Sequence, residues 1–202
     1  MLALRSDEVI ARNRLAEAAS TTASKSPKKR KCPESAAPFV VHHEPKTLTI
    51  MTPDSHTIRL HRVLRAKPER VYRAFLDPDA KAKWLPPSGF TGKVHHLEAK
   101  VGGTYRMSFT NFTTGSSHFF GGTYTELVTN ERLRYTDKFE DPNLPGEMHV
   151  TVELKEVACG TELHIVQEGV PAVIPAEACY MGWQESLTQL AQLVEPEIPD
   201  QP

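Results

Sequence analysis

The chain has 202 residues, 39% hydrophobic and 24% charged, with a formal net charge of -1. That length allows one good core, or a domain with a tail, and the near-zero charge gives no pull toward nucleic acid or an anionic membrane. No run approaches the ~18 apolar residues of a membrane span, and charge interrupts the start too early for a secretory signal.

The three cysteines, Cys32, Cys159 and Cys179, form no CxxC and leave an odd count, which fits free thiols in a reducing cytoplasm. The first 50 residues hold nine Lys and Arg against five Asp and Glu, whereas the remainder is acidic. Phe39 is the single aromatic residue among them. A segment rich in Ala, Ser, Thr, Lys and Pro cannot recover the entropy lost on ordering. Residues 1–53 are therefore expected to form a disordered tail, with Met51 as an alternative chain start. Residues 54–196 form the domain and 197–202 a short C-terminal tail. The basic run Pro27-Lys28-Lys29-Arg30-Lys31 is read as a solvated stretch in preference to an import signal.

Residues 57–64 alternate apolar and polar, the period of a half-buried strand. Pro68 then suits the first turn of a helix that aligns Val71, Tyr72, Phe75 and Leu76. Asp77 caps a second short helix with Pro78 at its first position, and Pro86 ends it. Strands follow over 92–97, 104–110 and 118–128, the last with a Gly121-Gly122 pair that predicts a bulge or bend. Leu133, Tyr135 and Phe139 share one face of the next strand, with Asp137 in register. Met148, Val150, Val152 and Leu154 form another inward row, and Cys159-Gly160 turns the chain into a last strand. From Pro175, the spacing of Tyr180, Trp183, Leu187, Leu190 and Val194 predicts a long helix with one apolar stripe. The order β-α-α-β-β-β-β-β-β-α gives an α+β fold: a curved antiparallel sheet covered by a long C-terminal helix.

A single helix does not fill the concave side of such a sheet along its length. Tyr105, Met107, Phe109, Tyr135 and Phe139 on the strands and Trp183 on the helix therefore form the expected ligand-binding wall, with Trp84 at its mouth. Asp137 is read as a rim carboxylate paired with Arg106 or Arg134, in preference to a buried general base. Neither His42-His43 nor His95-His96 can chelate one ion from a regular strand, and HExxH, GxSxG and phosphate-loop patterns are absent. No metal, cofactor or catalytic residue is assigned.

The stretches VYRAFLDPDAKAKWLPP, GGTYRMSF, GGTYTELVTNERLRYTD and YMGWQESLTQLAQLVE resemble, in that order, the activator of heat-shock-protein-90 ATPase homologue-like family. This family lies within the START-like, Bet v 1-like (SRPBCC) superfamily. The resemblance covers about residues 56–195 and implies the helix-grip fold, with its ligand site between sheet and long helix. It implies a stress-response setting and a chaperone as an alternative partner, but the separate N-terminal domain of the eukaryotic activators has no counterpart here. The reading is thus a small cytoplasmic binding protein for an apolar or aromatic ligand, monomer or homodimer, without nucleic-acid or membrane partners. A chaperone-associated interaction module and a cyclase- or hydrolase-type enzyme using the same cavity are the alternatives.

Overall fold

The computed structural model describes residues 55–199; the expected N-terminal tail and most of its boundary lie outside them. Seven strands form one antiparallel sheet in the order β1-β7-β6-β5-β4-β3-β2. These are β1 Ser55–Leu64, β2 Phe90–Leu97, β3 Thr104–Asn111, β4 Ser117–Val128, β5 Arg132–Phe139, β6 Met148–Val157 and β7 Gly160–Pro171. From β2 to β7 each strand pairs with the next in sequence, so short turns suffice. The two helices α1 Pro68–Leu76 and α2 Pro78–Trp84 carry the chain from β1 to the opposite edge. The long helix α3, Ala176–Val194, packs on the concave side. This is the α+β order that the periodicity predicted and the helix-grip fold that the resemblance implied.

Local chemistry sets the corners. Pro68 and Pro78 each stand in the first turn of their helix, where a missing N–H costs nothing. Asp77 ends α1 and caps α2, its Oδ1 accepting from the Ala80 N–H at 2.9 Å. Trp84 then fixes the two helices to each other: its indole N–H donates to the Ala74 carbonyl at 2.8 Å, and its ring meets Phe75 edge-on at 4.8 Å. Trp84 is fully buried. It plugs the core under α1 and α2 and does not stand at an opening.

Two further expectations shift. The register change in β4 falls between Tyr124 and Glu126, not at the glycine pair. Gly121 and Gly122 answer a different need, close approach of neighbouring backbone. A Cβ on Gly121 would run into the Tyr105 carbonyl oxygen, and one on Gly122 into that of Thr136. On α3, Tyr180 is 43% exposed and leaves the predicted stripe. The buried face of the first turns instead uses Ala178, Cys179, Gly182 and Ser186, small groups that let the helix approach the sheet. Leu187, Leu190 and Val194 complete it as expected.

Candidate functional site

Where α3 carries small residues, the concave side is left incompletely filled. A cavity of ≈ 140 Å³ opens there between the sheet, the segment after α2 and the first half of α3. Phe109, Phe120 and Phe139 come from adjacent strands, Leu144 and Ile174 from loops, and Trp183 from the helix. Phe109 meets Phe120 edge-on at 4.7 Å, so the sheet wall is itself packed. The rim is tied to α3 by polar bonds. Ser186 Oγ donates to the Leu85 carbonyl at 2.6 Å, and the Ser88 N–H donates to Glu185 at 3.0 Å.

Among the described residues, the buried side-chain oxygen and nitrogen atoms have hydrogen-bond partners, with one exception. Gln167 is buried and accepts from the Trp183 indole N–H at 2.7 Å and from the Cys179 thiol at 3.4 Å. That pair of bonds orients Trp183 along the cavity, and burial pushes the Cys179 thiol up to about 11. Asp137 is the exception. Its Oδ1 is buried on the cavity wall and makes no hydrogen bond to the protein.

The rim-pair reading of Asp137 is therefore corrected. Arg106 binds Glu140 at 2.6 Å, and Arg132 and Arg134 both bind Glu126, at 2.7 and 3.3 Å. These ion pairs keep the arginines elsewhere. Asp137 shares a face with Tyr135 and Phe139, and β5 alternation turns that face inward. Burial pushes its carboxyl up to about 7, opposed by the positive charge of Lys81, the nearby Tyr105 hydroxyl and the Lys138 N–H. The Tyr105 hydroxyl proton goes to the Thr136 carbonyl at 3.1 Å.

Lys81 itself was not visible as an interior residue in the sequence. Its ammonium lies 3.9 Å from the centroid of the Tyr105 ring and 3.3 Å from the Tyr124 hydroxyl, with the Tyr135 ring at 5.2 Å. The three tyrosines form a cage in which cation–π attraction and one hydrogen bond offset part of the loss of hydration. Burial pulls the Lys81 ammonium down to about 8, and the Asp137 charge limits that fall. Burial likewise pushes all three phenols above their ordinary value, with the Asp137 charge adding to it. The available signal was spacing: Lys81 stands three residues before Trp84, on the same helix face.

The seven predicted wall residues thus divide. Phe109, Phe139 and Trp183 line the cavity. Tyr105 and Tyr135 belong to the lysine cage behind Asp137, Met107 is fully buried in the core, and Trp84 joins α1 to α2.

A family profile described as Activator of Hsp90 ATPase homolog 1-like protein matches residues 65–195, more than half of the chain. Among solved structures, a Chromobacterium violaceum protein is 62% identical, with a TM-score of 0.69 over 70% of this chain and 98% of its own. A Rhodobacter sphaeroides protein is 22% identical, with a TM-score of 0.60 over 67% of this chain and 90% of its own. An AHSA1-like protein from Aeromonas hydrophila, 21% identical, has a TM-score of 0.57 over 69% of this chain and 92% of its own. These last two likenesses carry the fold alone. No curated protein matches significantly. On the profile match and the 62% identity, the chain belongs to the activator of Hsp90 ATPase homolog 1-like family.

Proposed function

We propose that the chain binds a compact, mostly apolar molecule, about the size of one aromatic ring, with a hydrogen-bond donor directed at Asp137. The volume supports a ligand of this size: a dry apolar cavity of about 150 Å³ accepts benzene, and this one measures ≈ 140 Å³. The observation that carries the reading is the buried, unpartnered Asp137 Oδ1 on a mostly apolar wall. Such a group destabilises the free protein and rewards any ligand that supplies a donor. Among the described residues, the exposed large apolar side chains come from different elements: Val63 on β1, Val101 and Phe112 in turns, Tyr180 and Met181 on α3, Ile198 after it.

Phenol and toluene have the same ring and differ in the donor, so they separate the terms. In an NMR titration at about pH 8, where the Asp137 carboxyl is mostly ionised, phenol is expected to bind at least about tenfold more tightly, as a hydrogen bond to a charged acceptor warrants. In Asp137→Val the advantage of phenol disappears while toluene is retained. Equal affinities in the unmodified chain, or no response of the Trp183 indole signal to either compound, would refute the reading. The same carboxyl favours a second reading, an enzyme of cyclase or hydrolase type. An acid held near neutrality on a cavity wall can accept a proton from a bound substrate.

A further inference from the structure

The outer face of the sheet carries a cluster with no part in the cavity. His61 on the edge strand β1 and His164 on β7 are directly opposite each other. Leu60, Leu163 and Ile165 beside them are buried, and Arg62 reaches Thr188 on α3, so alternation turns both imidazoles away from the helix. Glu162, two residues before His164, comes up on the same face. Its Oε1 lies 3.1 Å from His61 Nε2 and 3.5 Å from His164 Nε2. The two imidazole rings are 4.6 Å apart and tilted by 33°, and the three donor atoms all lie within 4.8 Å of one another.

A tetrahedral ion with bonds of about 2.0–2.1 Å to N and O sets its donor atoms ~3.3 Å apart. The two separations to Glu162 fall on either side of that edge length, and the two imidazole nitrogens lie within 4.8 Å of each other, a distance that ring rotation can close around an ion. Two imidazoles and one carboxylate suit zinc, copper or nickel, whereas calcium and magnesium call for oxygen donors alone. We propose that His61, Glu162 and His164 bind one divalent transition-metal ion of the zinc type, with water completing the shell. Glu153, opposite His164 on β6, adds negative charge beside the site, while Lys155, opposite Glu162, opposes it.

The position gives the ion a structural effect. β1 is an edge strand, hydrogen-bonded to β7 alone, and ligands on both strands would clamp that edge to the sheet. Binding to the folded chain raises its apparent stability by mass action. Sequence inspection missed the cluster because its histidines are 103 positions apart and neither has a histidine neighbour.

Calorimetric titration of the full chain with Zn²⁺, in a buffer that does not bind metals, tests the site. The unmodified chain is expected to take one ion there, with a rise in Tm. His61→Gln and His164→Gln should each weaken that binding at least about tenfold. A chain with both His42→Gln and His43→Gln should retain it, because neither is one of the three proposed ligands. Independently of any variant, Zn²⁺ should move the ring-nitrogen NMR signals of His61 and His164 ahead of those of the other histidines. Absence of Zn²⁺ binding, unchanged affinity in both cluster variants, or movement of other histidines alone would overturn the proposal.

Discussion

Asp137 and Lys81 carry the costliest groups in the interior, and each bears on the pH behaviour of the protein. The folded-state pKa of Asp137 is raised from 3.8 to about 7, so the folded chain holds a proton there that the unfolded chain releases. Its contribution to stability is therefore greatest below that window and declines as pH rises through it. The slope is at most ~1.4 kcal/mol per pH unit. Lys81 acts in the opposite sense and at higher pH. The unfolded chain keeps its lysine proton up to 10.5 while the folded chain loses it near 8, so stability recovers with pH between those values. Urea unfolding of the unmodified chain and Asp137→Asn from pH 4 to 7 isolates the first effect. The difference should shift in favour of Asp137→Asn as pH rises, and a difference independent of pH would show that Asp137 is ionised throughout.

At the level of elements, α3 has two regions with different duties. Leu187 and Leu190 are fully buried against the sheet, whereas the turns before them border the cavity. Leu187→Ala is expected to cost ~2–5 kcal/mol, as for other truncations in a packed core. Tyr180→Ala, at an exposed position, should stay within ~0.5 kcal/mol. Chemical denaturation of both variants checks the rotation of the helix face away from its apparent stripe. The elements themselves were legible because strand and helix periods differ and because prolines mark both short helices. The rotation of α3 was not, since hydropathy weights a tyrosine as apolar and does not register that small residues permit close approach. Cavity residues were partly legible for a related reason: alternation identifies an inward face, but not whether an inward ring meets empty space or another side chain. Tyr105 and Tyr135 meet a lysine, and nothing in the strands announces it.

Across the whole molecule, the sheet's order predicts how firmly its parts are held. β7 has a hydrogen-bonded neighbour on each side and buries Leu163, Ile165 and Gln167 in alternation. β2 is an edge with no fully buried residue, and its pairing with β3 is irregular between Val94 and His96. Native-state hydrogen exchange should accordingly be slowest in β6 and β7 and fastest, among the strands, in β2. Uniform protection across the sheet would mean that it opens only as a unit. The succession of strands and their antiparallel character were legible from sequence, and the Cys159-Gly160 turn marked the hairpin of β6 and β7. The closure of β1 onto β7, which brings His61 to His164, is a contact between the two ends of the domain that no local pattern reports.

The two tryptophans of the chain stand in unlike surroundings. Trp84 is sealed in the core with its indole N–H given to a helix carbonyl, while Trp183 lies on the cavity wall, held by Gln167. Their light emission is expected to separate accordingly. Trp84 should supply a short-wavelength component shielded from dissolved quenchers, and Trp183 a component that would change with entry of a ligand into the cavity. The protein thus carries its own optical reference and its own optical probe, and occupancy can be followed as a ratio of the two without an added label.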